Sequence, residues 1–239
     1  MRLKLNGYVA ADDDKEIFQW FGYSAFSPKD VRDALEQLPD GETLTLEINS
    51  GGGSVWAGSE IYSVLRGSNA DTVAEIQSLA ASAASYVAIG CNRVMISPVA
   101  QMMIHPPSTA TSGDAAEHRQ SIKILNSIAG SILNAYELKS AGKRTRQQLA
   151  SMMQAETWLT AQEAVDAGLA DEILYDDDAV LNPADIVNAC GMPNLAAMRA
   201  EYQKAHQAKE RTEATPVDNW QDAARLAIEK LRFYKEATQ

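Results

Sequence analysis

The chain is short of the residues that most often announce a function. It has only two cysteines, Cys91 and Cys190, with no Cys-x-x-Cys spacing and no histidine cluster beside either. Neither a zinc site nor a disulfide framework is therefore expected. Positive charge is also scarce: 21 Lys and Arg stand against 32 Asp and Glu, a net charge of -11. Such a chain offers no basic footprint to a phosphate backbone or an anionic lipid surface, so neither nucleic acid nor membrane is an expected partner. Long hydrophobic runs are missing as well. The most apolar stretch, Leu79 to Cys91, is too short and too rich in Ser and Ala to span a bilayer. Met1 to Ala10 alternates apolar and polar residues, unlike the basic start and apolar run of a secretory leader. A cytoplasmic protein is expected, or one enclosed in a viral particle assembling inside a cell.

What is present is enough for one substantial core: 239 residues, 46% of them hydrophobic. Strand-like and helix-like segments alternate up to about residue 175, which predicts an α/β layered domain. Arg2 to Val9 reads as a strand, and Ile17 to Phe21 as a short apolar segment. Ser27-Pro28-Lys29-Asp30 opens a helix that stops before Pro39-Asp40-Gly41. Thr43 to Ile48 is a strand running into a glycine loop, Asn49 to Ser54, with a helix after it. Thr72 to Gln77 is the next strand, followed by Ser78 to Ser82 and a small-residue helix from Ala83 to Ile89. Arg93 to Ile96 and Gln101 to Ile104 are short strands, and the second delivers His105 at its carboxyl end. Capping boxes at Asp114–Glu117, Thr145–Gln148 and Thr160–Glu163 start three more helices, the first reaching about Ser140. Asp171 to Tyr175 is a last strand. The composition shifts at Asp176-Asp177-Asp178, which divides the chain into residues 1–178 and a helical C-terminal appendage, 179–239, with helices at about Asn194 to Arg211 and from Asp218 onward.

Few side chains could serve as a general base. Of the three histidines, His118 and His206 lie among charged residues and read as solvated. His105 ends an apolar strand, Met102-Met103-Ile104, and precedes Pro106-Pro107, which turns the chain away. It is either a catalytic base or a buried histidine bonded to backbone. Ser82 falls at a strand-to-helix junction where first-turn amides lack intrahelical acceptors. A hydroxyl there can attack a carbonyl while the Ala83 amide holds the developing oxyanion. The bland reading is a small-residue helix start. Gly51-Gly52-Gly53 could bring backbone donors or an extended peptide close. A phosphate cradle is disfavoured: no Lys-Ser or Lys-Thr follows the glycines, and Gly-x-Gly-x-x-Gly is not met.

Taken in order, Asn49-Ser50-Gly51-Gly52-Gly53-Ser54 with Ile61-Tyr62, Ala80-Ala81-Ser82-Ala83, Met103-Ile104-His105-Pro106, and Leu159-Thr160-Ala161 with Glu163-Ala164-Val165 and Gly168-Leu169 resemble the Clp protease proteolytic subunit family. The likeness covers roughly residues 1 to 175. It implies a crotonase-like α/β fold of stacked βαβ units, ring homo-oligomers, and serine-type hydrolysis of peptide bonds without metal or organic cofactor. It places the nucleophile on Ser82, the base on His105 and the oxyanion donors on the amides of Gly53 and Ala83. The helix from 114 to 140 would be the protruding handle through which subunits associate. Glu156-Thr157-Trp158-Leu159-Thr160-Ala161 and the appended tail resemble the Clp-related head maturation proteases of tailed phages and prophages, which implies capsid or scaffold proteins as substrates.

The sequence departs from the family in three places. Gly51 stands where the family usually has Pro, and Ser78-Leu79 replaces the Gly-Gln before the nucleophile motif, with Ala84 in place of a glycine after it. Met152 falls where bacterial members carry the aspartate that orients the histidine. Gln154 sits where a phage-type acid would stand, and Glu156 is the nearest carboxylate in the segment to serve as the orienting acid; a Gln154 carbonyl, a backbone carbonyl or water are the alternatives for orienting the ring. Met1 leads directly into the first expected strand, without the family's axial segment, so an unfoldase ATPase is not an expected partner. Two other readings are weaker: a coenzyme A thioester enzyme of crotonase type, which needs no Ser82 and His105 pair, and a structural or scaffolding protein whose triad has decayed, which Met152 motivates.

Overall fold

The computed structural model describes residues 1–175. The helices expected beyond Asp176 and the division at residues 178 and 179 lie outside the described residues.

Elements follow in the order β1 Arg2–Val9, α1 Asp12–Trp20, β2 Ala25–Phe26, α2 Pro28–Glu36, β3 Thr43–Gly53, α3 Val55–Gly67, β4 Asp71–Ala81, α4 Ala83–Ala88, β5 Arg93–Ile96, β6 Gln101–Ile104, α5 Ala115–Ser140, α6 Arg146–Gln154, β7 Thr157–Thr160, α7 Ala161–Ala167 and β8 Glu172–Ile173. The main sheet runs β2-β1-β3-β4-β5-β8, with every neighbouring pair parallel. Parallel pairing needs crossovers, and helices supply them, as the strand-helix alternation predicted.

Hydrophobic alternation sets which face of β3 is buried. Leu44, Leu46 and Ile48 are fully inaccessible, while the residues between them are partly exposed. Burying side chains of this size contributes roughly 1.5–3 kcal/mol each. The helices close the other side of that core with Val31 of α2, Ile61 and Leu65 of α3, and Val87 of α4. The approach of α3 to α4 depends on Gly58, where a Cβ would stand 2.7 Å from the Tyr86 ring.

β4 changes partners along its length. Val73 to Ile76 pair with β5, whereas Leu79 to Ala81 pair with β6. Between them the register against β3 slips, with Ile48 opposite Ile76 but Ser50 opposite Ala80. The two extra residues on β4 bend its upper half towards β6, which pairs antiparallel with β7.

Several expectations are corrected. Residues Asn49 to Gly53 form the end of β3, because β1 pairs alongside through Tyr8 with Gly52 and Val9 with Gly53. β4 extends to Ala81 because β6 supplies a partner there. Ile17 to Phe21 are mostly the end of α1, which has no buried residue and three aspartates in its first turn. β7 was not foreseen, and the strand expected at Asp171 to Tyr175 contracts to Glu172–Ile173. The three capping boxes form as expected: Asp114, Thr145 and Thr160 side chains accept from first-turn amides, and Glu117, Gln148 and Glu163 bond back. No helix among the described residues is long and apolar enough to cross a membrane.

Candidate active site

The sheet itself brings the two chemically interesting side chains together. Ala81 of β4 lies opposite Met103 of β6, and the Ser82 amide donates to Met103 O at 2.8 Å. Ser82 is one residue past this pairing and His105 two past it. Parallel strands stand about 4.8 Å apart, so side chains leaving adjacent carboxyl ends can meet. They do: His105 Nε2 and Ser82 Oγ are 2.7 Å apart, and both residues are partly exposed. With the ring proton on Nδ1, Nε2 accepts the Ser82 hydroxyl, the arrangement required for proton removal.

The backbone at Ser82 is unusual. Its φ of 53° and ψ of -123° lie outside the regions a residue with a side chain normally adopts. The chain turns there from β4 straight into α4. Ser82 O accepts the Ser85 amide at 3.0 Å and the Ser85 hydroxyl at 2.5 Å. The Ala83 amide is the first of α4 and has no intrahelical acceptor.

The end of β3 forms a floor for this turn. Gly52 is buried with φ 98°, and a Cβ built on it would lie 2.7 Å from Ala81 O, 2.8 Å from Ser82 Cβ and 3.0 Å from Ala83 N. No other residue type fits between β3 and the serine. Gly53 follows with φ 153° and is exposed. The Ser50 hydroxyl braces the segment by donating to Gly7 O at 2.6 Å and accepting from Gly52 N at 3.1 Å. Sequence reasoning chose Gly53 from this run and gave Gly52 no role of its own. The available signal was three consecutive glycines at a strand end, where at least one must answer to sterics.

The histidine side is much barer. Among the described residues nothing hydrogen-bonds His105 Nδ1. Extending the β6 and β7 register past Ile104 and Thr157 would set Glu156 opposite His105. The ladder stops first: Glu156 has φ 49°, is exposed, and its carboxylate makes no hydrogen bond among the described residues. Met152 is partly buried against the core, and its carbonyl accepts the Thr157 hydroxyl at 2.7 Å. Gln154 is exposed at the end of α6. His118 is exposed as expected, with Nδ1 2.5 Å from Thr111 Oγ1. Cys91 is remote from this chemistry: burial pushes its thiol up to about 12, against smaller opposing effects of Thr72 and Lys139. Among the described residues no group of His, Cys, Asp and Glu is assembled to hold a metal ion.

The comparison with known proteins decides the family. Residues 33–177 match the Clp protease family model, well over half of the chain. The chain belongs to the Clp protease family. This Clp protease is 30% identical over 145 residues to the ATP-dependent Clp protease proteolytic subunit 1 of Chlamydia abortus, a match covering 59% of the chain and 74% of that relative. It is 32% identical over 133 residues to the proteolytic subunit 2 of Corynebacterium glutamicum, covering 55% and 65%. Against the proteolytic subunit of Bacteroides fragilis the values are 28% over 142 residues, 59% and 68%. Family membership makes the chain a serine-type peptidase of Clp type, with the Clp α/β fold. Residues 1–32, which hold β1, α1 and β2, precede the part matched by the family model.

Proposed function

We propose that this Clp protease is a serine endopeptidase in which Ser82 is the nucleophile and His105 the general base. The observation that carries the reading is the 2.7 Å contact between Ser82 Oγ and His105 Nε2 at the paired ends of β4 and β6. Nε2 takes the hydroxyl proton as Oγ bonds to the scissile carbonyl carbon. The amides of Gly53 and Ala83 stabilise the resulting oxyanion, with Gly52 holding the strand against the serine. The imidazolium then gives its proton to the departing amine, and water repeats the sequence to release the acyl group. The reaction needs no metal or cofactor.

The orienting role on Nδ1 is unassigned by contact. Glu156 is the acid proposed for it, because extending the β6 and β7 register one residue past Ile104 and Thr157 would set it opposite His105. We further propose that residues 1–178 form the peptidase unit, that 179–239 are an appendage, and that subunits form a ring through α5. α5 is 26 residues long and buries only Ile132, Leu133, Tyr136 and Ser140, while Ile122 and Ile124 stand 57% and 47% exposed. Capsid or scaffold proteins of a phage head are the proposed substrates, and cleavage is proposed to be independent of ATP; the likeness of Glu156 to Ala161 to head maturation proteases supports the first. Hydrolysis of a disordered protein and of a co-expressed scaffold, without ATP, tests this. Ser82→Ala and His105→Ala should each abolish cleavage. Undiminished cleavage by either variant overturns the assignment. An Nδ1 without a hydrogen-bond partner among the described residues supports a second reading, a scaffolding Clp relative, under which Ser82→Ala leaves head assembly normal.

A further inference from the structure

A buried polar link that the proposed reaction does not use joins α5 to Ser82. The Tyr136 hydroxyl is 2.6 Å from Ser85 Oγ, and Ser85 Oγ is 2.5 Å from Ser82 O. Tyr136 is 1% exposed and Ser85 0%. The hydrogens have one consistent arrangement. A carbonyl can only accept, so Ser85 donates its single hydrogen to Ser82 O, and Tyr136 donates to Ser85. Burial holds the phenol far above its ordinary range, with the Ser85 bond opposing that shift, so Tyr136 stays a donor across the working pH range.

Two features make this link more than core packing. Its far end is the carbonyl of the one residue that must keep a left-handed backbone for its Oγ to face His105. Its near end is one of the few side chains by which α5 enters the core. We infer that Ser85 and Tyr136 are positioning residues that hold the Ser82 peptide in its strained turn and tie that turn to α5. The inference rests on Ser82 being the nucleophile. Met103 O fixes Ser82 through its amide, and the Tyr136–Ser85 pair fixes it through its carbonyl.

The test measures the saturation kinetics of Ser82 labelling by a fluorophosphonate probe in full-length wild type, Ser85→Ala, Tyr136→Phe and the double variant, together with the Tm of each. Each substitution removes only oxygen. The maximal labelling rate should fall about tenfold in each single variant, with the half-saturating probe concentration unchanged. Ser85→Ala also leaves the buried Tyr136 hydroxyl unpaired, whereas in Tyr136→Phe Ser85 keeps its bond to Ser82 O, and the double variant removes both hydroxyls. Its Tm should therefore recover from that of Ser85→Ala towards wild type while its labelling rate stays low. A rate that recovers with Tm, or single variants that lose Tm without losing rate, would show a purely structural pair and overturn the inference. Absence of labelling in wild type would overturn the nucleophile assignment itself, and the inference with it.

Discussion

The two halves of the candidate site are held in very different ways. Around Ser82 every backbone group has a reason to be where it is: the amide is on Met103, the carbonyl on Ser85, and Gly52 packs beneath. Around His105 the strand β6 fixes the main chain, but among the described residues the ring hydrogen-bonds Ser82 alone, and Nδ1 meets no partner there. In other serine hydrolases the orienting acid sets the tautomer and steadies the imidazolium, and its loss lowers turnover by orders of magnitude without abolishing it. The contrast teaches that nucleophile geometry and histidine orientation are separable in this fold. The first is built into the sheet, and the second would, on the resemblance, depend on the segment Met152 to Glu156, where that resemblance sets Met152 in place of the family's aspartate.

The contrast is broken most severely from the serine side. In Gly52→Ala a Cβ would meet Ala81 O and Ser82 Cβ at distances no folded chain tolerates, on a backbone with φ 98°. Acylation of Ser82 should fall roughly a hundredfold as the serine is displaced. Gly51→Ala, where nothing lies within 4 Å, is the control and should stay close to wild type. A Gly52→Ala enzyme with normal acylation would show that the β3 floor is irrelevant.

The histidine side should instead be open to improvement. Met152→Asp places a carboxylate where the resemblance sets the family's aspartate, one hydrogen bond and one strand pairing from the residue before His105. Peptidase turnover should rise about tenfold. An unchanged or lower rate in a folded variant would mean that another group already steadies the ring. Glu156→Gln sharpens the same point with a smaller effect. Its carboxylate is exposed and makes no hydrogen bond among the described residues, so as the acid proposed for Nδ1 it steadies the ring only weakly, and turnover should fall about threefold. An unchanged turnover would remove Glu156 from the orienting role.

The smallest effect lies in the capping box that starts α7, behind β7. Thr160→Ala removes the acceptor of the Glu163 amide and should cost about 1 kcal/mol in chemical denaturation. The amide and hydroxyl of Thr160 hold the Glu163 carboxyl below its ordinary 4.5. Its contribution is therefore complete above that value and lost as pH falls through the lower folded one. Equal stability losses for Thr160→Ala at neutral and strongly acid pH would contradict this account of the box.

Legibility followed the range of the interactions involved. The capping boxes were readable because donor and acceptor lie three residues apart in sequence. The Ser82 turn was readable as a strand-to-helix junction, and the His105 strand as an apolar run ended by two prolines. Features decided by distant partners were hidden. Asn49 to Gly53 look like a loop until β1 is known to pair beside them, and β4 looks short until β6 adopts its upper half. Thr157 to Thr160 could have been read as a strand, but the cap signal at Thr160 drew the eye to the helix after it. The bearing of Gly52 on Ser82 needs two strands and a turn in place at once, and no local pattern specifies that.

The most direct test of the central claim is intact-mass analysis with peptide mapping after fluorophosphonate treatment of the wild-type chain, Ser82→Ala and His105→Ala. The account predicts one adduct, mapping to Ser82 and absent from both variants. No adduct on the wild-type chain, or one that persists in His105→Ala at an undiminished rate, would contradict it.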